Sequence, residues 1–225
     1  MKNRENVLII ACTHIPFEHP RYLSFVLDIQ ERCKCKTVIH AGDLVDNNAI
    51  SYHEHDPDGW SPKDEMDVAD EHLEKWFKAF PKMLVTWGNH DRLVDRKGKT
   101  VGLPKRCFRP FREMWKLPSG WKDNYEFVID DVLYKHGTGY SGKYAHIQAA
   151  VDARQSTVIA HIHANAGVEY SANTKQIIFG MAVGCGIDIK RYAFAYNKDF
   201  KRRPVLGCGV VTDKGRLAQF MPMDL

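Results

Sequence analysis

Short apolar runs alternate with amphipathic stretches along the first 90 residues. Residues 6–11, 36–40 and 83–87 are compact apolar runs rich in β-branched side chains, and each predicts a buried strand. Apolar positions recur at helical spacing over residues 20–32 and 62–80, which predicts two amphipathic helices between these strands. Alternating strands and helices predict parallel strands joined by crossover helices.

The second half of the chain is richer in strands. A hairpin is predicted at residues 125–129 and 132–135, and a helix capped by Ser141 at residues 142–154. Short strands are predicted at residues 157–160, 167–170, 176–181, 206–212 and 217–221. We therefore expect one domain spanning residues 1–225, with an α/β fold: a four-layer α/β/β/α sandwich of two mixed β-sheets flanked by helices.

Composition adds little constraint on function. The chain has 225 residues and a formal net charge of +4, which permits an anionic substrate without requiring one. Its six cysteines form no C-x-x-C pair, so they are expected to be reduced thiols. No apolar run approaches the roughly 18 residues that a membrane span needs. These features predict a soluble, cytoplasmic protein that does not enter a membrane.

Polar residues that can bind metals follow the predicted strands. Because strand ends meet at sheet edges, loops there build functional sites. Residues two apart on a strand point to one side, so His161 and His163 are expected to reach one centre, as are Cys12 and His14. The groups, in chain order, are Cys12-x-His14, Asp43-x-x-Asp46, Asn89-His90-Asp91, His136 and His161-x-His163.

This order and spacing resembles the calcineurin-like metallophosphoesterase family, with a pattern Asp-x-His, Gly-Asp-x-x-Asp, Gly-Asn-His-Asp or -Glu, His, Gly-His-x-His. The resemblance covers residues 7–165 and departs from the pattern at Cys12, where the family has aspartate, and at Ala160, where it has glycine. Many relatives carry an arginine directly after the residue that matches Asp46, and Arg92 is the candidate substitute here.

The resemblance implies two divalent ions that share Asp43. Two ions about 3.5 to 4 Å apart can clamp the attacking and leaving oxygens of a phosphoryl transfer. A carboxylate with two oxygens at a central strand end suits the bridging position. By resemblance, metal one takes Cys12, His14, Asp43 and His163, and metal two takes Asp43, Asn89, His136 and His161.

The resemblance also implies a mechanism with catalytic roles for Asn89, His90 and Asp91. A metal-bridging hydroxide would attack in line, and His90 would protonate the leaving oxygen. Asp91 is expected to fix the tautomer of His90 and raise its basicity. Asp46 and Asp91 are the expected hydrogen-bond acceptors for the metal-binding imidazoles.

Metal and substrate identity stay open. Imidazole and carboxylate ligands suit manganese, zinc or iron alike, whereas a Cys12 thiolate favours zinc or iron. The expected substrate is a phosphoester, either a monoester or a diester, with nucleotides and nucleic acids among the choices. The sequence leaves the oligomeric state undetermined.

Two alternative functions are open. A nucleic-acid exonuclease would use the basic, aromatic stretch at residues 97–122, with Trp115 or Phe108 stacking on bases, although a solvated helix face with its aromatics turned inward is favoured. A non-catalytic metal-binding scaffold is favoured only by the missing aspartate at position 12. Residues 193–204 look similar to phage or prophage members of the family, which would place the protein in a host cytoplasm.

Overall fold

A computed structural model describes residues 5–53, 58–191 and 203–224. Its first β-sheet has six strands: β1 (Asn6–Ile10), β2 (Cys35–His40), β3 (Met83–Thr86), β4 (Trp121–Asn124), β10 (Gly207–Thr212) and β11 (Leu217–Pro222). They lie in the order β11-β10-β1-β2-β3-β4. Strands β1 to β4 are parallel, and β10 and β11 add antiparallel strands beside β1. The parallel strands all end at one edge of this sheet.

The second sheet has five strands: β5 (Glu126–Ile129), β6 (Val132–Lys135), β7 (Ser156–Ile159), β8 (Ala166–Ala172) and β9 (Ile177–Val183). Their order is β5-β6-β7-β9-β8. The outer pairs are antiparallel, whereas β6, β7 and β9 run parallel. Both sheets are therefore mixed.

Helices flank the sheets. They are α1 (Tyr22–Arg32), α2 (Pro62–Ala79), α3 (Leu93–Thr100), α4 (Phe111–Met114) and α5 (Ala145–Ala153). Helix α2 begins where the sequence predicts, because the Ser61 hydroxyl accepts a hydrogen bond from the Asp64 amide at 3.2 Å and Pro62 suits the first helical position. Helix α1 packs on β1 and β2, and α5 packs on β7 and β9.

Neighbouring residues of β9 show how the layers stack. A Cβ on Gly180 would collide with the backbone of α5, and the next side chain, Met181, reaches Gly209 of β10 in the other sheet. Because successive strand residues point to opposite faces, β9 lies between α5 and the first sheet. The predicted four-layer sandwich of two mixed sheets with flanking helices is confirmed.

Two local predictions were wrong. The helix expected over residues 142–154 begins at Ala145, after Tyr144, and Ser141 does not cap it. No strand was expected in the basic, aromatic stretch 97–122, but it runs into strand β4, whose sequence Trp-Lys-Asp-Asn lacks an apolar alternation. Pairing with β3 gives it strand conformation.

Three further predictions concern the chain as a whole. Among residues 5–53, 58–191 and 203–224, no helix has the length and apolar character that crossing a membrane requires. The single-domain prediction stays a prediction. Of the phage-like segment 193–204, residues 193–202 lie outside the described residues.

Candidate metal centre

The two sheets bring their strand ends together at one place. Strands β1, β2 and β3 lead into the loops that carry Cys12, Asp43 and Asn89, and β6 and β7 lead into those that carry His136 and His161. A hydrogen bond joins the two sets, because His136 Nδ1 donates to the Ala41 carbonyl at 2.9 Å. All seven predicted metal ligands therefore lie on loops at this junction.

The ligand loops are turned rather than extended. Strands β1 and β7 end at Ile10 and Ile159, before the ligands begin. Backbone φ is positive at Cys12 (48°), His14 (48°), Asp43 (51°) and His161 (65°), in the left-handed region that non-glycine residues rarely adopt. The prediction that strand alternation aligns these side chains was wrong. Turns align them, and such strained backbone clusters at functional sites.

One cluster matches the ligand set expected for metal one. Cys12, His14, Asp43 and His163 each place a ligand atom within 4.8 Å of the others. His14 Nδ1 lies 2.6 Å from Asp46 Oδ1, so the proton of this ring is on Nδ1 and the lone pair is on Nε2. That Nε2 lies 3.3 Å from His163 Nε2 and 3.6 Å from Asp43 Oδ2. Three candidate ligand atoms of this cluster thus face one another.

A second cluster matches metal two. Because His136 Nδ1 donates its proton to the Ala41 carbonyl, Nε2 is the ring atom left to bind a metal. This Nε2 lies 3.0 Å from Asp43 Oδ2, 3.1 Å from Asn89 Oδ1 and 3.1 Å from His161 Nδ1. Burial opposes protonation of His136, but Asp43 raises the pKa of His136 and so favours a proton between Nε2 and Asp43 Oδ2. A metal cation can take the place of that proton among the same atoms. The residues present therefore fit a metal ion.

Asp43 lies between the clusters, and its loop is built for close approach. Oδ2 belongs to both clusters, whereas Oδ1 accepts a hydrogen bond from the His90 amide at 2.9 Å. A Cβ on Gly88 would collide with Asp43 Oδ1, so only glycine fits there. The carboxylate is thus held with one oxygen facing both clusters.

Asp91 has a role that differs from the prediction, whereas Asp46 contacts a candidate metal-binding imidazole, His14, as predicted. The Asp91 carboxylate accepts three backbone N–H bonds, from Asp43 (2.8 Å), Gly88 (2.7 Å) and Val45 (3.2 Å). The His90 ring instead meets Asp46, whose backbone oxygen lies 2.8 Å and whose Oδ1 lies 3.1 Å from Nδ1. The expectation that Asp91 orients His90 was wrong, because the Asp91 carboxylate is turned towards the loop backbone.

The site separates charged from neutral groups. Burial opposes a charge on Asp46, but His90 and His14 outweigh it and lower the pKa of Asp46 to about 2. Burial likewise opposes protonation of His90, but Asp43 and Asp46 raise the pKa of His90 to about 10. Burial and neighbouring histidines lower the pKa of His161 to about 4 and of His163 well below its usual value. Both rings are thus neutral, as metal ligands must be.

Cys12 lies inside the first cluster. Its Sγ accepts a hydrogen bond from the His161 amide at 3.3 Å. Burial and the charge of Asp43 raise the pKa of the Cys12 thiol well above its usual value. A thiolate at this position therefore requires a strong compensating positive charge, which a cation supplies.

Three supporting residues were not anticipated. Asn47 Nδ2 donates to the His90 carbonyl at 3.0 Å. The Thr13 hydroxyl donates to the Leu44 carbonyl at 2.9 Å. Glu65, on α2, accepts from the amides of Asn48 and Ala49, both at 2.7 Å. Only the turn-prone Asn47-Asn48 pair leaves a sequence signal, because Glu65 occurs in a pattern typical of an exposed helix face.

Comparisons with known proteins agree with the motif order. The sequence profile of the family described as calcineurin-like phosphoesterase matches residues 5–174. No curated protein matches the chain by sequence. Among solved structures, vacuolar protein sorting 29 from Cryptosporidium parvum has a TM-score of 0.49 and 13% identity, covering 94% of this chain and 86% of that one.

Two further solved structures are similar. A metallophosphoesterase from Sphaerobacter thermophilus has a TM-score of 0.47 and 12% identity, covering 99% of this chain and 89% of that one. The Escherichia coli phosphoesterase YfcE has a TM-score of 0.41 and 11% identity, covering 92% and 87%. The profile match alone spans most of the sequence and includes every predicted ligand. The chain belongs to the calcineurin-like phosphoesterase family.

Proposed function

We propose that this chain is a phosphoester hydrolase that works with two divalent metal ions. The observation that carries the proposal is Asp43 Oδ2, which lies 3.0 Å from His136 Nε2 and 3.6 Å from His14 Nε2. One carboxylate oxygen is thus shared by two groups of buried lone pairs. Such sharing is what a dinuclear site requires.

Each proposed ion has four protein ligands. Metal one would be held by Cys12, His14, Asp43 and His163, and metal two by Asp43, Asn89, His136 and His161. The first set contains a sulfur and two imidazoles, which favours zinc or iron over manganese. The second set has two oxygen and two nitrogen ligands, which suits all three metals.

The bound ions would neutralise the phosphate and activate a water molecule for attack. The protein side chains position the ester and move the proton. His90 Nδ1 faces the Asp46 carbonyl at 2.8 Å, and a carbonyl can only accept, so Nδ1 carries a proton. Nε2 is then the ring atom that delivers a proton to the leaving oxygen. Asp46 beside Nδ1 favours the protonated ring that a general acid needs.

The test is metal analysis combined with turnover of aryl phosphomonoesters and phosphodiesters. We expect two ions per chain and metal-dependent hydrolysis that chelators abolish. His90→Ala is expected to lower kcat by about 100- to 10,000-fold, the usual contribution of a general acid. The matched control is His146→Ala on α5, whose ring lies 3.9 Å from Glu169, outside both clusters.

Three results would contradict the proposal. A single bound ion refutes the dinuclear site. Hydrolysis that His90→Ala leaves unchanged refutes the acid role. Two bound ions without turnover of any aryl phosphoester would favour the non-catalytic scaffold.

A further inference from the structure

A groove lies beside the metal-site loops, at the same edge of the first sheet. Trp87 directly follows β3 and Tyr125 directly follows β4, and these strands are parallel neighbours. Arg92, two residues after His90, also lines the groove, whose volume is about 520 Å³. A pocket of this size accommodates a small organic ligand. We name it the β3–β4 groove.

Two aromatic rings form one side of the groove. The ring centroids of Trp87 and Tyr125 are 4.6 Å apart, at an interplanar angle of 78°. Trp87 is held by its Nε1, which donates to Asp123 Oδ2 at 3.1 Å. Tyr125 is 51% exposed, although the Arg92 guanidinium lies 4.9 Å from its ring centroid. An accessible ring beside a cation is a stacking platform for a planar, anionic ligand.

The opposite side of the groove is basic. Lys105, Arg106 and Arg109 line it with exposed side chains, and no ion pair of theirs occurs among the described residues. Arg112 differs, because it lies 3.7 Å from Asp123 and donates to the Trp121 carbonyl at 2.9 Å.

Three carboxylates offset part of this positive charge. Asp91 lines the groove, but its oxygens accept backbone N–H bonds. Asp123 is occupied by Arg112 and Trp87. Asp95 is the remaining acidic residue of the lining. The lining thus has five cationic side chains against three carboxylates, which leaves the groove net positive.

Of the two aromatics expected from sequence to stack on bases, one is structural and the other, Phe108, lines the groove. Trp115 is 1% exposed, so its ring is part of the core. The Phe108 ring packs against Gly98 of α3, where an added Cβ would collide with it. The most exposed ring of the lining is that of Tyr125, which sequence spacing did not single out.

We propose that the β3–β4 groove binds a single-stranded nucleic acid beside the scissile phosphate. A base would stack on Tyr125, and phosphates would contact Lys105, Arg106 and Arg109. Stacking combined with cations along a backbone is the usual way to hold a single strand without sequence preference. An acidic peptide offers charge but no planar base for Tyr125. The inference rests on the proposed hydrolase function and names its substrate as a phosphodiester strand.

The test measures binding apart from turnover. A short fluorescein-labelled oligothymidylate is titrated with metal-loaded His90→Ala protein, and its anisotropy is followed at several salt concentrations. Groove variants in this background are Lys105→Glu with Arg109→Glu, and separately Tyr125→Leu. The control pair, Lys175→Glu with Arg216→Glu, makes the same charge change in the β8–β9 and β10–β11 turns.

We expect the groove charge pair to lower affinity about tenfold or more. The plot of log binding constant against log salt concentration should become less steep by about 1.4, since each lost phosphate contact to a single strand removes about 0.7 from the slope. Tyr125→Leu should lower affinity about tenfold with an unchanged slope. The control pair should change affinity by about twofold or less, because exposed charges beyond a Debye length are screened.

Several results would overturn the inference. Equal losses in the groove and control pairs would show that only the overall charge matters. An unchanged affinity in Tyr125→Leu would refute the stacking role. If thymidine monophosphate binds as tightly as the oligothymidylate, the groove does not recognise a strand. If wild-type protein hydrolyses aryl diesters while the groove variants bind normally, the groove inference fails alone. If the groove variants lose binding but wild-type protein hydrolyses no ester, the hydrolase proposal fails alone.

Discussion

Asp46→Asn removes one negative charge from a fully buried position while nearly preserving side-chain size. In the wild-type protein, Asp46 Oδ1 lies 2.6 Å from His14 Nδ1 and 3.1 Å from His90 Nδ1. One carboxylate therefore supports a proposed metal ligand and the proposed general acid. The substitution tests both roles at once.

The pKa of Asp46 sets the expected loss of stability. Its shift from 3.8 to about 2 corresponds to about 2 to 3 kcal/mol, at about 1.4 kcal/mol per unit. A depressed carboxyl pKa stabilises the fold at pH values above the unfolded-state pKa, and this contribution is lost as pH falls from about 4 to about 2. Metal-free Asp46→Asn protein should therefore lose about 2 to 3 kcal/mol of unfolding free energy at neutral pH.

Two functional effects should accompany this loss. Removing the acceptor of a metal-binding imidazole should weaken affinity at metal one by about 10- to 100-fold. Removing the charge beside His90 should also lower the pKa of His90. Because a general acid is inactive once deprotonated, the alkaline limb of the pH–rate profile should move to lower pH.

The assays are urea denaturation of chelator-treated protein, metal competition with a chelator, and kcat against pH. Asp28→Asn is the matched control, since Asp28 forms an ion pair with Arg32 in which both side chains are 58% exposed. Its unfolding free energy should change by about 0.5 kcal/mol or less. An Asp46→Asn protein with an unshifted alkaline limb would refute the assignment of Asp46 as the partner of His90.

Two further substitutions test the ligand loops. If Cys12 binds metal one, Cys12→Asp should retain hydrolysis and shift the metal preference from zinc towards manganese. The measurements are the rate of hydrolysis and the metal content with each metal. No change in either would refute the ligand role. Gly88→Ala should displace the Asp43 carboxylate, with which its Cβ would collide, and lower both metal content and kcat, the latter by about 100-fold. The control is Gly139→Ala, where a Cβ would meet no atom within 4 Å. It should cost only about 1 kcal/mol of stability and keep both ions. Equal metal loss in the two variants would contradict the steric argument.

The positions of most helices and strands could be predicted from sequence, because burial periodicity is a local property. The strand expected at residues 6–11 is Asn6–Ile10, and the helix expected at residues 62–80 is Pro62–Ala79. Strand β4 could not be predicted in this way. Its residues Lys122 to Asn124 are polar, and pairing with β3 places them in the sheet.

The candidate metal ligands were also predictable from the sequence, since their order along the chain matches a known family pattern. The side chain that faces His90 and the accessible ring beside the site were not predictable in this way. Asp46 rather than Asp91 faces His90, and Tyr125 rather than Trp115 offers an accessible ring beside the site. In both cases spacing along the chain left the direction of the side chain undetermined.

The physical reason lies in the turns and in the meeting of the two sheets. A side chain on a strand points in a direction that its position determines, but the ligands follow the strands in left-handed conformations such as those of His14 and His161. Contacts between loops of different sheets, such as His136 with Ala41, hold those conformations. Sequence order thus predicted the candidate ligands, and only tertiary packing decided that their ligand atoms face one another around Asp43.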